Sequence, residues 1–170
     1  MELVPSFLAC LSCLFTLAIL TISTSLKIVP EHQRLVLFRL GRALENSLGP
    51  GIVFVIPVID RTVPVDIREQ VRDTSNLPAL TRDSSPVRIS IRWKYKILDP
   101  VKSIVAVGNL ETATAGVIRT LVEGLAKEVN ASELAKNGDW FHATTLTRLR
   151  KATEPWGMQI MDVEILNISE

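Results

Sequence analysis

Three spacings of apolar side chains succeed one another along this chain: a continuous block, a two-residue alternation and a three-to-four-residue recurrence. The block comes first. No charged side chain occurs from Leu3 to Leu26, between Glu2 and Lys27, and the densest part, Phe7 to Ile22, is interrupted only by Ser12, Thr16 and Thr21. A helix rises about 1.5 Å per residue, so about 20 residues cross a hydrocarbon core roughly 30 Å thick. A helix also pairs its own backbone amides, which lipid cannot do. The block therefore predicts a transmembrane helix over residues 1–27, with Phe7, Leu8, Leu11, Leu14, Phe15, Leu17, Ile19, Leu20 and Ile22 as its anchoring side chains. A cleaved signal peptide would want a positive start and a shorter apolar run. A buried core helix would show a polar face, which is missing here.

Beyond Lys27 the pattern changes. Arg34 to Leu40 reads as a strand stopped by Gly41-Arg42, and Gly49-Pro50-Gly51 closes a loop. Ile52 to Ile56 is a short apolar run, and Thr62 to Val71 a further extended segment in which Pro64 suggests an edge. The clearest alternation lies at 87–97: Val87, Ile89, Ile91, Trp93, Tyr95 and Ile97 interleave with Arg88, Ser90, Arg92, Lys94 and Lys96. Period two predicts an antiparallel strand with one face on a core and one in water. Asp99-Pro100 ends it. Leu110, Ala113, Val117, Leu121 and Leu125 then recur at helical spacing. Ser132 suggests another short helical start. Asp139 opens a helix reaching about Glu154, with Phe141, Leu146 and Leu149 on one side and Pro155 and Gly157 as its stop. Met158 to Ile168 is a closing strand. Strands, then helices, then a last strand make the class α+β.

Charge and cysteine content narrow the function. Residues 27–170 carry 19 basic and 17 acidic side chains, a net of +2, which argues against a nucleic-acid binder. Their length suits one domain with its own core. Both cysteines, Cys10 and Cys13, fall in the apolar block, so no disulfide framework or four-cysteine zinc site is expected beyond it; S-acylation applies only if either lies near the interface. Lys27, Arg34, Arg39 and Arg42 follow the block and no Lys or Arg precedes it, which places the C-terminal part in the cytoplasm by the positive-inside rule. The sequons at Asn130 and Asn167 would matter only in a lumenal domain.

The residues after the block carry a family signal. Val29-Pro30-Glu31-His32-Gln33-Arg34, Leu37-Phe38-Arg39-Leu40-Gly41-Arg42, Leu48-Gly49-Pro50-Gly51 and Ile56-Pro57-Val58-Ile59-Asp60 come in order. Val65-Asp66-Ile67-Arg68, Leu80-Thr81-Arg82-Asp83 and Trp156-Gly157-Met158 with Val163-Glu164-Ile165 follow. Together they resemble the SPFH or band 7 domain of stomatins, prohibitins and flotillins, with the stomatin-like branch the best fit. The resemblance runs from about Ile28 to Ile168. It implies an SPFH domain, mostly antiparallel sheet with packed helices, over 28–170. It also implies a membrane scaffold that self-associates and organises microdomains, channels or membrane AAA proteases, with an NfeD-type membrane protein as a further partner. No cofactor is implied. Three places depart from the family pattern. Ser84-Ser85-Pro86 interrupts the run into the next strand, where a shift of register is expected. Lys136 to Phe141 replaces a charged helix start. Relatives continue into a long coiled coil, whereas this sequence stops at Glu170, leaving either a chain cut short or assembly through SPFH faces alone. A monomeric tethered adaptor is the alternative reading.

Catalytic and metal constellations are not visible. His32 and His142 stand in unrelated contexts, no clustered metal ligands occur, and neither a phosphate loop nor a nucleophile elbow is present. A membrane-bound hydrolase is the remote alternative. Two surfaces are candidates for binding. Arg88, Arg92, Lys94 and Lys96 form a basic stripe that either solvates, attracts anionic headgroups or meets an acidic face of a neighbouring subunit. Ile52, Val53, Phe54, Val55 and Ile56 read first as a buried strand, with a dip into the membrane interface as the second reading.

Overall fold

The computed structural model describes residues 11–13, 15–16, 25–130, 133 and 138–169. The chain groups into two compact units, Met1–Asp66 and Ile67–Glu170.

In the first unit, β1 (Leu26–Val29) pairs antiparallel with β4 (Gly51–Phe54). A second small sheet has the order β3-β2-β5, from β2 (Gln33–Arg39), β3 (Arg42–Ala43) and β5 (Asp60–Asp66). Val29, Leu35, Leu37 and Val55 form the core, with Leu44, Leu48 and Val53 packed on it. Leu48 is drawn in because it exchanges backbone hydrogen bonds of 2.8 Å with Leu35 in both directions. β1 begins at Leu26, so Leu26 and Lys27, expected at the end of the anchor, are strand.

The second unit is a three-stranded sheet, β6-β7-β8, from β6 (Gln70–Leu80), β7 (Pro86–Ile97) and β8 (Met158–Ser169). The helices are α1 (Pro100–Val105), α2 (Leu110–Ala126) and α3 (Gly138–Thr153). β7 shows the expected alternation: Val87, Ile89, Ile91, Trp93, Tyr95 and Ile97 are buried. Its two aromatic rings stack at 4.8 Å, and each polar tip reaches β6, Trp93 donating to Thr74 at 3.1 Å and Tyr95 to Gln70 at 2.8 Å. That satisfies the only polar atoms these large side chains bring into the core.

Several expectations shift. The extended segment expected over 62–71 is two strands separated by Ile67–Glu69, and β6 runs on to Leu80. The Ser84-Ser85-Pro86 insertion does not displace the register, which is unbroken from Leu77/Ile89 to Leu80/Pro86; the slip lies instead between Thr74 and Leu77. Ser84, at φ 61°, absorbs the turn, and the Thr81 hydroxyl hydrogen-bonds Asp83. On α2 the buried stripe is Thr114, Ile118, Val122 and Leu125, one residue round from the one expected. On α3 it is Phe141, Thr145, Leu149 and Thr153, with Leu146 only half-buried. Threonine can be buried in a helix when its hydroxyl bonds the carbonyl four residues back, as Thr114 does to Leu110 at 2.7 Å and Thr153 to Leu149 at 2.9 Å. The helical start expected at Ser132 falls largely outside the described residues.

Gly157 closes the helical region. It sits at φ 68°, and a Cβ there would lie 2.6 Å from the Asp99 carbonyl oxygen. Its own carbonyl accepts from Leu98 and Asp99 at 2.9 and 3.0 Å, which joins the end of β7 to the start of β8. Asp99 in turn caps α1, accepting from Val101 and Lys102 at 3.1 Å each.

Candidate functional site

The β1–β4 ribbon sorts its side chains by register. Leu26 stands opposite Phe54 and Ile28 opposite Ile52, on one face; Lys27 opposite Val53 and Val29 opposite Gly51 take the other. Val29 is buried, whereas Leu26, Ile28, Ile52 and Phe54 are 54%, 83%, 75% and 61% exposed. Ile52–Ile56 is therefore not a buried strand: Val55 is buried, Val53 half-buried, and Ile52, Phe54 and Ile56 face outward. A two-stranded ribbon has two faces, and the small core of this unit covers one of them.

Two loop residues of this unit are exposed and apolar as well. Val58 is fully exposed at φ 79°, and Leu40 is 78% exposed at φ 49°. A β-branched residue in the left-handed region is strained and persists only where its surroundings impose it. Those surroundings are visible. The Arg39 guanidinium grips Asp60 through two bonds of 2.8 and 3.0 Å, Asp60 also accepts from the Ile56 amide at 2.9 Å, and Leu40 donates its amide to the Ile59 carbonyl at 2.9 Å. The hydrogen bond from Arg39, with that of Ile56, holds the Asp60 carboxyl below the usual carboxylate range. The Asp60 side chain is shielded from solvent, whereas that of Arg39 is half exposed.

Of the expected anchoring side chains, Leu11 and Phe15 lie in described helical stretches and are exposed; Phe7, Leu8, Leu14, Leu17, Ile19, Leu20 and Ile22 lie outside the described residues. Among the described residues no helix is long and apolar enough to cross a membrane.

The basic stripe of β7 is placed on one face but is not basic throughout. Arg92 is gripped by Asp73 of β6 through bonds of 2.9 and 3.0 Å and stands opposite Glu164 of β8. Lys94 stands opposite Asp162, whose carboxylate lies 3.0 Å from His142 Nε2. The stripe becomes a lattice of alternating charge around a shallow cleft of about 450 Å³. Arg88, between Pro78 and Ser169, and Lys96, opposite Gln159, lie outside that lattice. The sequence pattern points to neither Asp73 nor Asp162, and to Glu164 only as part of the closing-strand motif, because each meets the stripe through a strand pairing that no local pattern announces. The His142–Asp162 pair has no serine or cysteine bonded to the imidazole among the described residues, and these hold no cluster of His, Cys, Asp and Glu fit for a metal ion.

Comparison with known proteins fits this picture. The sequence profile of the SPFH domain / Band 7 family matches residues 27–170. A stomatin homolog of Pyrococcus horikoshii is 33% identical over 147 residues, covering 86% of this chain and 55% of that protein. Stomatin-1 of Caenorhabditis elegans is 34% identical over 163 residues, covering 94% and 49%. Stomatin-like protein 1 of Mus musculus is 32% identical over 160 residues, covering 89% and 39%. The chain thus spans about half the length, or less, of these curated relatives. By the profile and by these identities, the chain belongs to the SPFH domain / Band 7 family, in its stomatin-like branch.

Proposed function

We propose that this protein is a non-catalytic, stomatin-like scaffold held at a membrane by the apolar block of residues 1–27, with its SPFH domain (28–170) on the cytoplasmic side. The observation that carries the reading is the outward apolar face of Leu26, Ile28, Ile52 and Phe54, which begins where the uncharged block of the sequence ends. Contiguous exposed apolar surface of this kind marks an interaction site, and its place beside the anchor makes lipid its natural partner. Ile56, Val58 and Leu40 are further exposed apolar side chains in the loops of this unit. Self-association then gathers client membrane proteins, such as channels, membrane proteases or an NfeD-type protein, around the seated domains.

Tryptophan fluorescence of a Phe54→Trp variant on adding vesicles tests the seating. A blue shift is expected, and an unchanged spectrum would overturn it. The mass of the particle in mild detergent tests the assembly, against 18.8 kDa for one chain. A discrete particle of many subunits is expected; a monomer would leave a tethered adaptor.

A further inference from the structure

We propose that the seam between β6 and α2 is a docking groove for an extended, acidic and apolar segment of a partner protein. Among the described residues β6 is an edge strand, paired with β7 on one side only. α2 runs beside it, and two cavities lie along the seam. One of about 280 Å³ is formed by Thr74 and Leu77 of β6 with Ala115, Gly116 and Arg119 of α2. The other, of about 550 Å³, is formed by Ala79, Leu80, Val87 and Arg88 of the β6–β7 hairpin with Glu123 and Lys127 of α2. Strand and helix thus flank both cavities in the same order. From Thr74 to Leu80 an extended chain covers roughly 20 Å, the reach of six to eight residues. An edge strand beside a helix, with pockets for successive side chains, is a geometry in which extended peptides are recognised.

The edge is guarded against indiscriminate pairing. Pro78 removes one amide donor, and Asn76, at φ 55°, marks the bulge between Thr74 and Leu77. Affinity must therefore come from side chains entering the cavities and from charge, not from an unbroken ladder. The charge is one-sided. Arg119, Glu123 and Lys127 recur every four residues on α2, and Arg88 joins them from β7. Among the described residues Arg88, Arg119 and Lys127 form no ion pair. Three cations against one carboxylate, around apolar floors, fit a ligand alternating apolar and acidic side chains.

The proposal rests on the scaffold reading only in supplying a client contact. It needs no ring, so particle mass and groove binding are read separately. The test uses the full chain in detergent and two arrays of octapeptides. One alternates Val, Leu or Phe with Asp or Glu; the other carries Lys or Arg in the acidic places. Fluorescence anisotropy should find binders in the acidic array and none in the basic one. Gly116→Leu fills the first cavity; a Cβ at Gly116 meets no atom within 4 Å, so the helix accepts it. It should weaken the acidic binders at least tenfold. Arg119→Glu with Lys127→Glu, both at exposed positions, should move binding to the basic array. The proposal is overturned if no acidic peptide binds, if both arrays bind alike, or if both variants leave binding intact. A fall in particle mass on Gly116→Leu without peptide binding would give the groove to a second copy of the chain, and also overturn it.

Discussion

Single side chains in this protein show where folding energy is surrendered. Thr145 is fully buried in α3, and its hydroxyl has no hydrogen-bond partner among the described residues, unlike Thr114 and Thr153. An unsatisfied buried hydroxyl costs about 1–3 kcal/mol. Thr145→Val should therefore raise stability by about 1 kcal/mol in urea denaturation, against the usual loss for a core substitution. Val58 surrenders energy in the backbone. Val58→Gly relieves the positive φ and should leave the domain as stable or more so while weakening vesicle binding, a trade read by a thermal melt beside flotation. Four carboxyls set the acid limit. Asp60, held down by Arg39, Asp73, held down by Arg92, Asp99, held down by the Lys102 amide, and Asp162, held down by His142, all lie below the ordinary range. A lowered folded-state value contributes stability that is present above the unfolded value and lost as pH falls through the folded one. Stability should be level near neutrality and decline below about pH 4. A chain equally stable at pH 3 and pH 7 would contradict the assignment.

Among the elements, β7 and the Gly157 junction bear most of the second unit's organisation. The apolar alternation of β7 was legible in the sequence because period two is a local property of one strand. The fate of its other face was not. The charges of Arg92 and Lys94 are offset by Asp73, Asp162 and Glu164, and these come from the two flanking strands, β6 before β7 and β8 beyond all three helices. On α2 most of the buried face lies one residue round from the expected stripe, and on α3, where Phe141 and Leu149 are buried as expected, Thr145 takes the place of Leu146, for a related reason: threonine counts as polar in a pattern yet is buried in both helices. Gly157 was read as a helix stop. The structure adds that it carries the contact between the ends of β7 and β8. Gly157→Ala meets both a positive φ and the Asp99 carbonyl, and should cost about 2 kcal/mol or more by chemical denaturation.

At the scale of the molecule two surfaces compete for the proposed membrane contact. The β1–β4 face offers apolar area, whereas β7 offers a stripe whose centre is neutralised. Ile52→Asp with Phe54→Asp should therefore reduce the blue shift and vesicle binding of the domain far more than Arg88→Glu with Lys96→Glu. Binding should also change little between low and high salt, since burial of apolar area is not screened. A steep salt dependence, or a larger loss from the charge reversals, would return the role to the basic stripe.

The sequence by itself determined the α+β class, the alternating strand, the two long helices and the family, because each is written in local spacing or in ordered short motifs. Tertiary structure alone decided that β4 leaves its neighbour in sequence to pair with β1, that Ile52, Phe54 and Ile56 consequently face outward, and that acids neutralise the middle of the basic stripe. It also decided that β6 and α2 enclose a groove. The physical reason is the same in each case. Periodicity fixes which way a side chain points relative to its own backbone, whereas its neighbour depends on pairings between segments far apart in the chain.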